Sequence, residues 1–163
     1  MWHIRHAILA LTLAASASVP AVSADPWPTY QGNASHSGYV PVTLDPSSFA
    51  LRWQKTIGTG SMQLNPVAGA EGKVFVTEAG YFSNQGLYAL SADDGALMWN
   101  LNYGSVRSVN PPAYSAGTVY IHTVNHSTDT YLRAYSATNG SLVFQSPHAA
   151  QWEQYYAPTV FDN

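Results

Sequence analysis

Along the chain, short apolar or aromatic runs alternate with Gly, Asn or Asp: Lys73-Val74-Phe75-Val76, Leu87-Tyr88-Ala89-Leu90, Leu97-Met98-Trp99, Val119-Tyr120-Ile121, Leu132-Arg133-Ala134-Tyr135 and Leu142-Val143-Phe144. None carries a convincing helical apolar period, and runs of this length between turn formers predict β-strands. Asp94-Gly95 and Asn139-Gly140 each stand between two runs, where a tight hairpin needs positive φ, so both predict hairpin turns.

The runs repeat. Asn65-Pro66 matches Asn110-Pro111, Gly72 matches Gly117, Val74 matches Val119, Leu87 matches Leu132, Ser91-Ala92 matches Ser136-Ala137, Gly95 matches Gly140 and Trp99 matches Phe144, every pair 45 apart. Trp53 precedes Trp99 by 46, and Ala157 to Phe161 resembles the opening run of a third copy. A unit of this length with four short strands predicts a β-propeller blade, whose sheet buries both faces only when neighbours stack on it. The predicted strands are Val67–Gly69, Val74–Thr77, Leu87–Ser91 and Leu97–Leu101, then Ala113–Ser115, Val119–Thr123, Tyr131–Ser136 and Leu142–Gln145, named A to D in each repeat. Trp53, Trp99 and Phe144, each near the end of an outer strand, are expected to cover the seams between blades.

The fold class expected is therefore all-β: four-stranded antiparallel blades in repeats of about 45 residues, incomplete in this chain. Two full repeats span about 65–99 and 110–144 within a propeller region of 51–163, with a third beginning at 157–163. Fewer than about four blades cannot close. The chain is accordingly expected to be the N-terminal piece of a longer propeller, with Leu51 to Gln54 as the outer strand of a blade completed from elsewhere.

Before the repeats, Arg5 with flanking His3 and His6, an apolar run from Ala7 to Ala17, and Val22-Ser23-Ala24 have the three parts of a secretory signal cut after Ala24. The apolar run is too short to span a bilayer. Residues 25–50 form an N-terminal extended segment. The protein is expected to be exported, to a periplasm or outside the cell.

Composition narrows the partners. The 163 residues include 6 Lys+Arg and 9 Asp+Glu, and only 9% are charged against 46% hydrophobic and 13% aromatic. A formal charge of -3 leaves no basic stripe for a phosphate backbone, so nucleic acid is excluded as a partner. The absence of Cys removes disulfides, thiol catalysis, thiolate metal sites and a thiol-linked lipid anchor, and no stable membrane anchor is expected.

Gly72-Lys73-Val74-Phe75-Val76, Gly86-Leu87-Tyr88-Ala89-Leu90-Ser91-Ala92-Asp93-Asp94-Gly95 and Leu97-Met98-Trp99 resemble the blade motif of the pyrroloquinoline-quinone (PQQ)-type propellers. The second copy is similar, with Phe144 for the closing Trp. Trp27-Pro28-Thr29-Tyr30-Gln31-Gly32-Asn33 and His36-Ser37-Gly38 resemble the mature start of many exported members. The resemblance runs from Trp27 to Asn163 and implies a fold more than an activity, since the motif stabilises blades. Its redox branch implies a quinone on the axis with calcium and, in many members, a Cys-Cys pair; this sequence has no Cys and no recognisable calcium ligand. The branch that assembles outer-membrane barrels is anchored through a Cys at the cleavage site, where this chain has Ala24-Asp25.

Candidate chemistry is sparse. His122, His126 and Asp129 have a spacing that could hold a metal on a helix, but they fall at a strand end and in a loop, so no metal site is assigned. Glu71, Asp93 and Asp94 sit in turns at the rim opposite Glu78 and Asp129, so no carboxylate pair for glycoside hydrolysis can be named. No catalytic, cofactor-binding or metal residue is assigned. A ligand face, if present, is expected on the rim of D-to-A and B-to-C loops, from Gln63, Asn65, Arg107, Asn110, Trp152, Glu153, Tyr155 and Tyr156. The function expected is a binding or scaffold propeller for a protein or glycan partner, without cofactor. The alternative is a quinoprotein dehydrogenase whose PQQ and calcium ligands lie in a missing C-terminal part.

Overall fold

The computed structural model describes residues 26–58, 63–125, 130–148 and 157–161. The signal segment, His126, Asp129, Trp152, Glu153, Tyr155 and Tyr156 lie outside the described residues. No helix among the described residues is long and apolar enough to cross a membrane.

Repeat one contains β1 (Gln63–Leu64), β2 (Ala68–Ala70), β3 (Lys73–Ala79), β4 (Ser83–Ser91) and β5 (Leu97–Val106) in one antiparallel sheet. Repeat two contains β6 (Ser108–Val109), β7 (Ala113–Ser115), β8 (Thr118–Val124), β9 (Tyr131–Ser136) and β10 (Leu142–Pro147) in another, with the same strand order. Adding 45 to the bounds of β1, β2 and β3 gives those of β6, β7 and β8. Strand A is thus split in both repeats. β1 and β2 pair with opposite ends of β3, Leu64 facing Glu78 and Ala68 facing Phe75. Pro66, and Pro111 with Pro112, stand in the gap, where a proline has no N–H to give to the ladder.

The tight hairpins lie between strands A and B. Glu71 and Gly72 have φ of 51° and 68°, Ala116 and Gly117 44° and 78°, a pair of left-handed residues in each two-residue turn. Asp94-Gly95 and Asn139-Gly140 also turn hairpins, as expected, joining β4 to β5 and β9 to β10 through five-residue links, 92–96 and 137–141, with φ of 70° at Gly95 and 73° at Gly140. There Gly95 N donates to Ser91 O at 2.9 Å and Gly140 N to Ser136 O at 2.8 Å. Asp94 Oδ1 and Asn139 Oδ1 accept from the amides of Ala96 and Ser141, each at 3.0 Å.

Alternation along the strands decides which face meets which neighbour. Phe75, Leu87 and Ala89 pack against Val109, Val119, Ile121, Tyr135 and Ala137 of repeat two, with Trp99, Leu101 and Tyr103 at the margin. Val76 and Leu90, on the other face of repeat one, are covered by Ile57 and Trp53. Repeat one is therefore buried on both sides, as a blade requires, each large side chain contributing about 1.5–3 kcal/mol by area. Leu51 to Gln54, expected as an outer strand, has no strand pairing among the described residues, although Trp53 still covers a blade face. β2 approaches β7, so the A strands of the two repeats lie next to each other, on the edge that a propeller turns toward its axis.

Candidate functional site

At the end of the sheets where D passes to A, buried polar side chains fix the backbone. Gln85, 1% exposed, donates from Nε2 to Val106 O at 2.8 Å and accepts from Val109 N through Oε1 at 2.9 Å. Asn65 Nδ2 donates to Thr77 Oγ1 at 2.9 Å and to Val109 O at 2.7 Å, and Thr77 Oγ1 donates to Asn110 O at 2.9 Å. These buried bonds from Gln85, Asn65 and Thr77 hold the backbone of the link 106–110 in place as a platform.

On that platform the Arg107 guanidinium lies 5.8 Å from the Tyr81 ring centroid and 5.9 Å from that of Phe82, within cation–π range. Tyr81 and Phe82 form the B-to-C turn of repeat one and are 53% and 52% exposed. Phe82 has φ of 49°, a strained conformation for a bulky residue, held by its N–H bond to Val106 O at 3.0 Å. The turn thus presents two aromatic rings to solvent with a cation beneath them.

The expected ligand-face residues separate here. Gln63 is exposed in β1, and Arg107 is buried beneath the rings. Asn65 and Asn110, 8% and 0% exposed, are not on an open face: the Asn65 side-chain amide and the Asn110 backbone carbonyl tie one repeat to the next. Trp152, Glu153, Tyr155 and Tyr156 lie outside the described residues. Tyr81 and Phe82 escape a reading of strands and repeat matches, because they have no counterpart in the motif. Their signal is local, two adjacent aromatics after Gly80 in a turn between strands.

The seam residues fall into two kinds. Trp53 donates from Nε1 to Ala92 O at 2.9 Å and lies on Gly95; Trp99 donates to Ala137 O at 3.1 Å and lies on Gly140. A Cβ on either glycine would come within 2.6 or 2.8 Å of the indole. Phe144 is 43% exposed, and its ring meets Tyr120 of its own repeat at 6.3 Å.

A cavity of about 380 Å³ is lined by His122, Leu132, Ser146, His148, Pro158 and Thr159. Its counterparts in repeat one, Thr77, Leu87, Leu101 and Tyr103, face repeat two. The cavity is therefore the next face of repeat two rather than a pocket set apart from the blade packing. The His122 and His148 rings stack at 4.0 Å, 12° from parallel. Burial first, then the neighbouring His148, push the His122 pKa down to about 4. Burial raises the Tyr103 phenol far above its ordinary range.

Among the described residues, no three His, Asp or Glu side chains converge as metal ligands. Buried Glu78 accepts from Tyr88 Oη at 3.0 Å, and the amide donors of Asn65 are directed into the blade seam.

A family model, PQQ_2, described as outer membrane protein assembly factor BamB, matches residues 36–158. No curated protein matches the chain. Among solved structures, a europium-containing methanol dehydrogenase is similar at 19% identity and TM-score 0.42, over 50% of this chain and 14% of its own. A quinohemoprotein alcohol dehydrogenase from Pseudomonas putida HK5 is similar at 14% identity and TM-score 0.41, over 74% of this chain and 26% of its own. The chain thus spans about a quarter or less of the length of these two enzymes.

Proposed function

The chain belongs to the PQQ_2 family, and on that premise we propose that it is an exported propeller module that binds or scaffolds a protein or glycan partner through the rim of D-to-A and B-to-C loops. The observation that carries this reading is the exposed Tyr81–Phe82 pair on a strained turn, backed by Arg107. Aromatic and Arg side chains dominate binding hot spots because they offer large contact area at low entropic cost. On a fixed platform they form such a patch in advance of binding. The family's printed description, an assembly factor, agrees with a role in contact rather than turnover. Export rests on the Arg5 to Ala24 pattern.

The test is a peptide and glycan array probed with the full chain and with a Tyr81→Ser/Phe82→Ser variant whose circular dichroism is unchanged. Loss of array signal by about tenfold or more in the variant supports the rim; equal binding by both removes it. A dye-coupled alcohol oxidation assay with added pyrroloquinoline quinone and calcium stands beside it, and quinone-dependent turnover would overturn the binding reading.

A further inference from the structure

Three consecutive residues near the start of the described chain touch three successive repeat segments. Trp27 exchanges two backbone bonds with Gly69, its N–H donating to Gly69 O at 2.8 Å and its carbonyl accepting from Gly69 N at 2.7 Å. Pro28 O accepts from Tyr114 N at 2.6 Å, and Thr29 Oγ1 donates to Pro158 O at 3.0 Å. Gly69 and Tyr114 are equivalent positions, 45 apart, in β2 and β7, and the groups used lie on the strand edges that β3 and β8 leave unpaired.

The segment then folds back. Gly32 N donates to Thr29 O at 2.9 Å and Gly38 N to Gln31 O at 2.8 Å. His36 bonds Tyr30 O through Nδ1 at 3.0 Å and Thr159 Oγ1 through Nε2 at 3.1 Å, returning to the third segment. Gly32, at φ of 86°, lies under the Trp27 ring, where a Cβ would approach to 2.9 Å. Thr29 is 3% exposed.

Unpaired strand edges attract other strands, and folded proteins blunt or cover them. Here the covered edges are those that a propeller turns toward its axis. Gly69 pairs with Val74, whereas Tyr81 and Phe82 lie beyond Ala79 at the far end of β3, about 17 Å away at 3.3–3.4 Å per residue. We propose that residues 27–36 form an axial strap. It closes the inner edges of successive repeats at the A-to-B end and leaves the Tyr81–Phe82 rim as the entrance for a ligand. The choice of entrance rests on the rim reading above; the strap itself does not.

The experiment is amide hydrogen exchange on the full chain, unaltered and as Gly32→Val, which drives a side chain into the Trp27 ring. The amides of Gly69 and Tyr114 are expected to exchange about tenfold faster in the variant while those of β4 keep their protection. If Gly32→Val also releases β4, Thr29→Val, which removes a single hydrogen bond, is read in the same way. Gly69 and Tyr114 amides that exchange at loop rates in the unaltered protein, or that are indifferent to both substitutions, would overturn the strap. No ligand enters this measurement, so failure of the rim leaves its outcome unchanged.

Discussion

In repeat one, Val76 and Leu90 meet Trp53 and Ile57 while Phe75 and Leu87 meet repeat two. In repeat two, Val119 and Ile121 meet repeat one, whereas His122 and Leu132 line a cavity bordered by Pro158 and Thr159. The outer strands differ in the same sense: β5 alternates between exposed and half-buried positions over most of its length, but β10 is exposed throughout. The two sheets share strand bounds to the residue over A and B. Blade geometry is therefore encoded within each repeat, whereas burial is supplied by the neighbour.

The largest expected effect tests the seam between the repeats. Trp99→Ala removes an indole that lies on Gly140, donates to Ala137 O and approaches the Phe75 ring at 6.0 Å. It should cost about 3 kcal/mol in urea unfolding, near the lower end for large-to-small changes because Trp99 is half-buried. Phe144→Ala should cost about 1 kcal/mol or less. Equal costs would erase the difference between a covered and an open outer strand.

A finer test separates backbone strain from ring contact. Gly140 and Gly117 both have positive φ, 73° and 78°, but only a Cβ at Gly140 would meet an indole. Gly117→Ala should cost about 1 kcal/mol through the left-handed backbone alone. Gly140→Ala should cost about 2 kcal/mol, the excess reporting displacement of Trp99. The same denaturant midpoints measure both; if the two variants match, the Trp99 contact contributes nothing.

Much of this was legible in the sequence, because a fixed 45-residue match aligns turn formers with turn formers and apolar runs with apolar runs. The strand centres, the repeat and the seam tryptophans follow from that match. The split of strand A does not, since β1 and β6 are two-residue pairings around prolines with no apolar run of their own. Gln85 shows the same limit at the site. It reads as one polar residue in a strand, yet it fixes the link beneath Arg107, while its counterpart Thr130 reaches Asn125 O at 3.4 Å. What distinguishes the repeats chemically is non-repeating, and a self-comparison discards it.

The next effect is a pH dependence confined to repeat two, where His122 replaces Thr77. The folded-state pKa of His122 is about 4, below the ordinary 6.5, because burial disfavours the imidazolium and His148 adds to this. Between those values the unfolded chain binds a proton that the folded chain does not. The contribution is fully present above about pH 6.5 and is lost as pH falls toward 4. Stability at pH 5 relative to pH 7.5 should drop more for the unaltered protein than for His122→Thr, by about 1 kcal/mol. Identical profiles would mean that His122 is solvated and that the open face of repeat two does not exclude water.

The smallest expected effect comes from exchanging the two seam residues separately. Trp99→Phe keeps a ring over Gly140 but removes the N–H that bonds Ala137 O, leaving that carbonyl without this donor. A cost of about 1 kcal/mol is expected for a single hydrogen bond. Phe144→Trp adds an indole N–H at a position that is 43% exposed, with its ring contact inside its own repeat, so stability should change by less than about 0.5 kcal/mol. Chemical denaturation of the two single variants decides between two accounts of the motif. If the indole stabilises its own outer strand, the substitutions should have equal and opposite effects. If it stabilises only by closing onto the glycine turn of the following repeat, the asymmetry holds, and tryptophan acts as a contact between blades rather than a property of one blade.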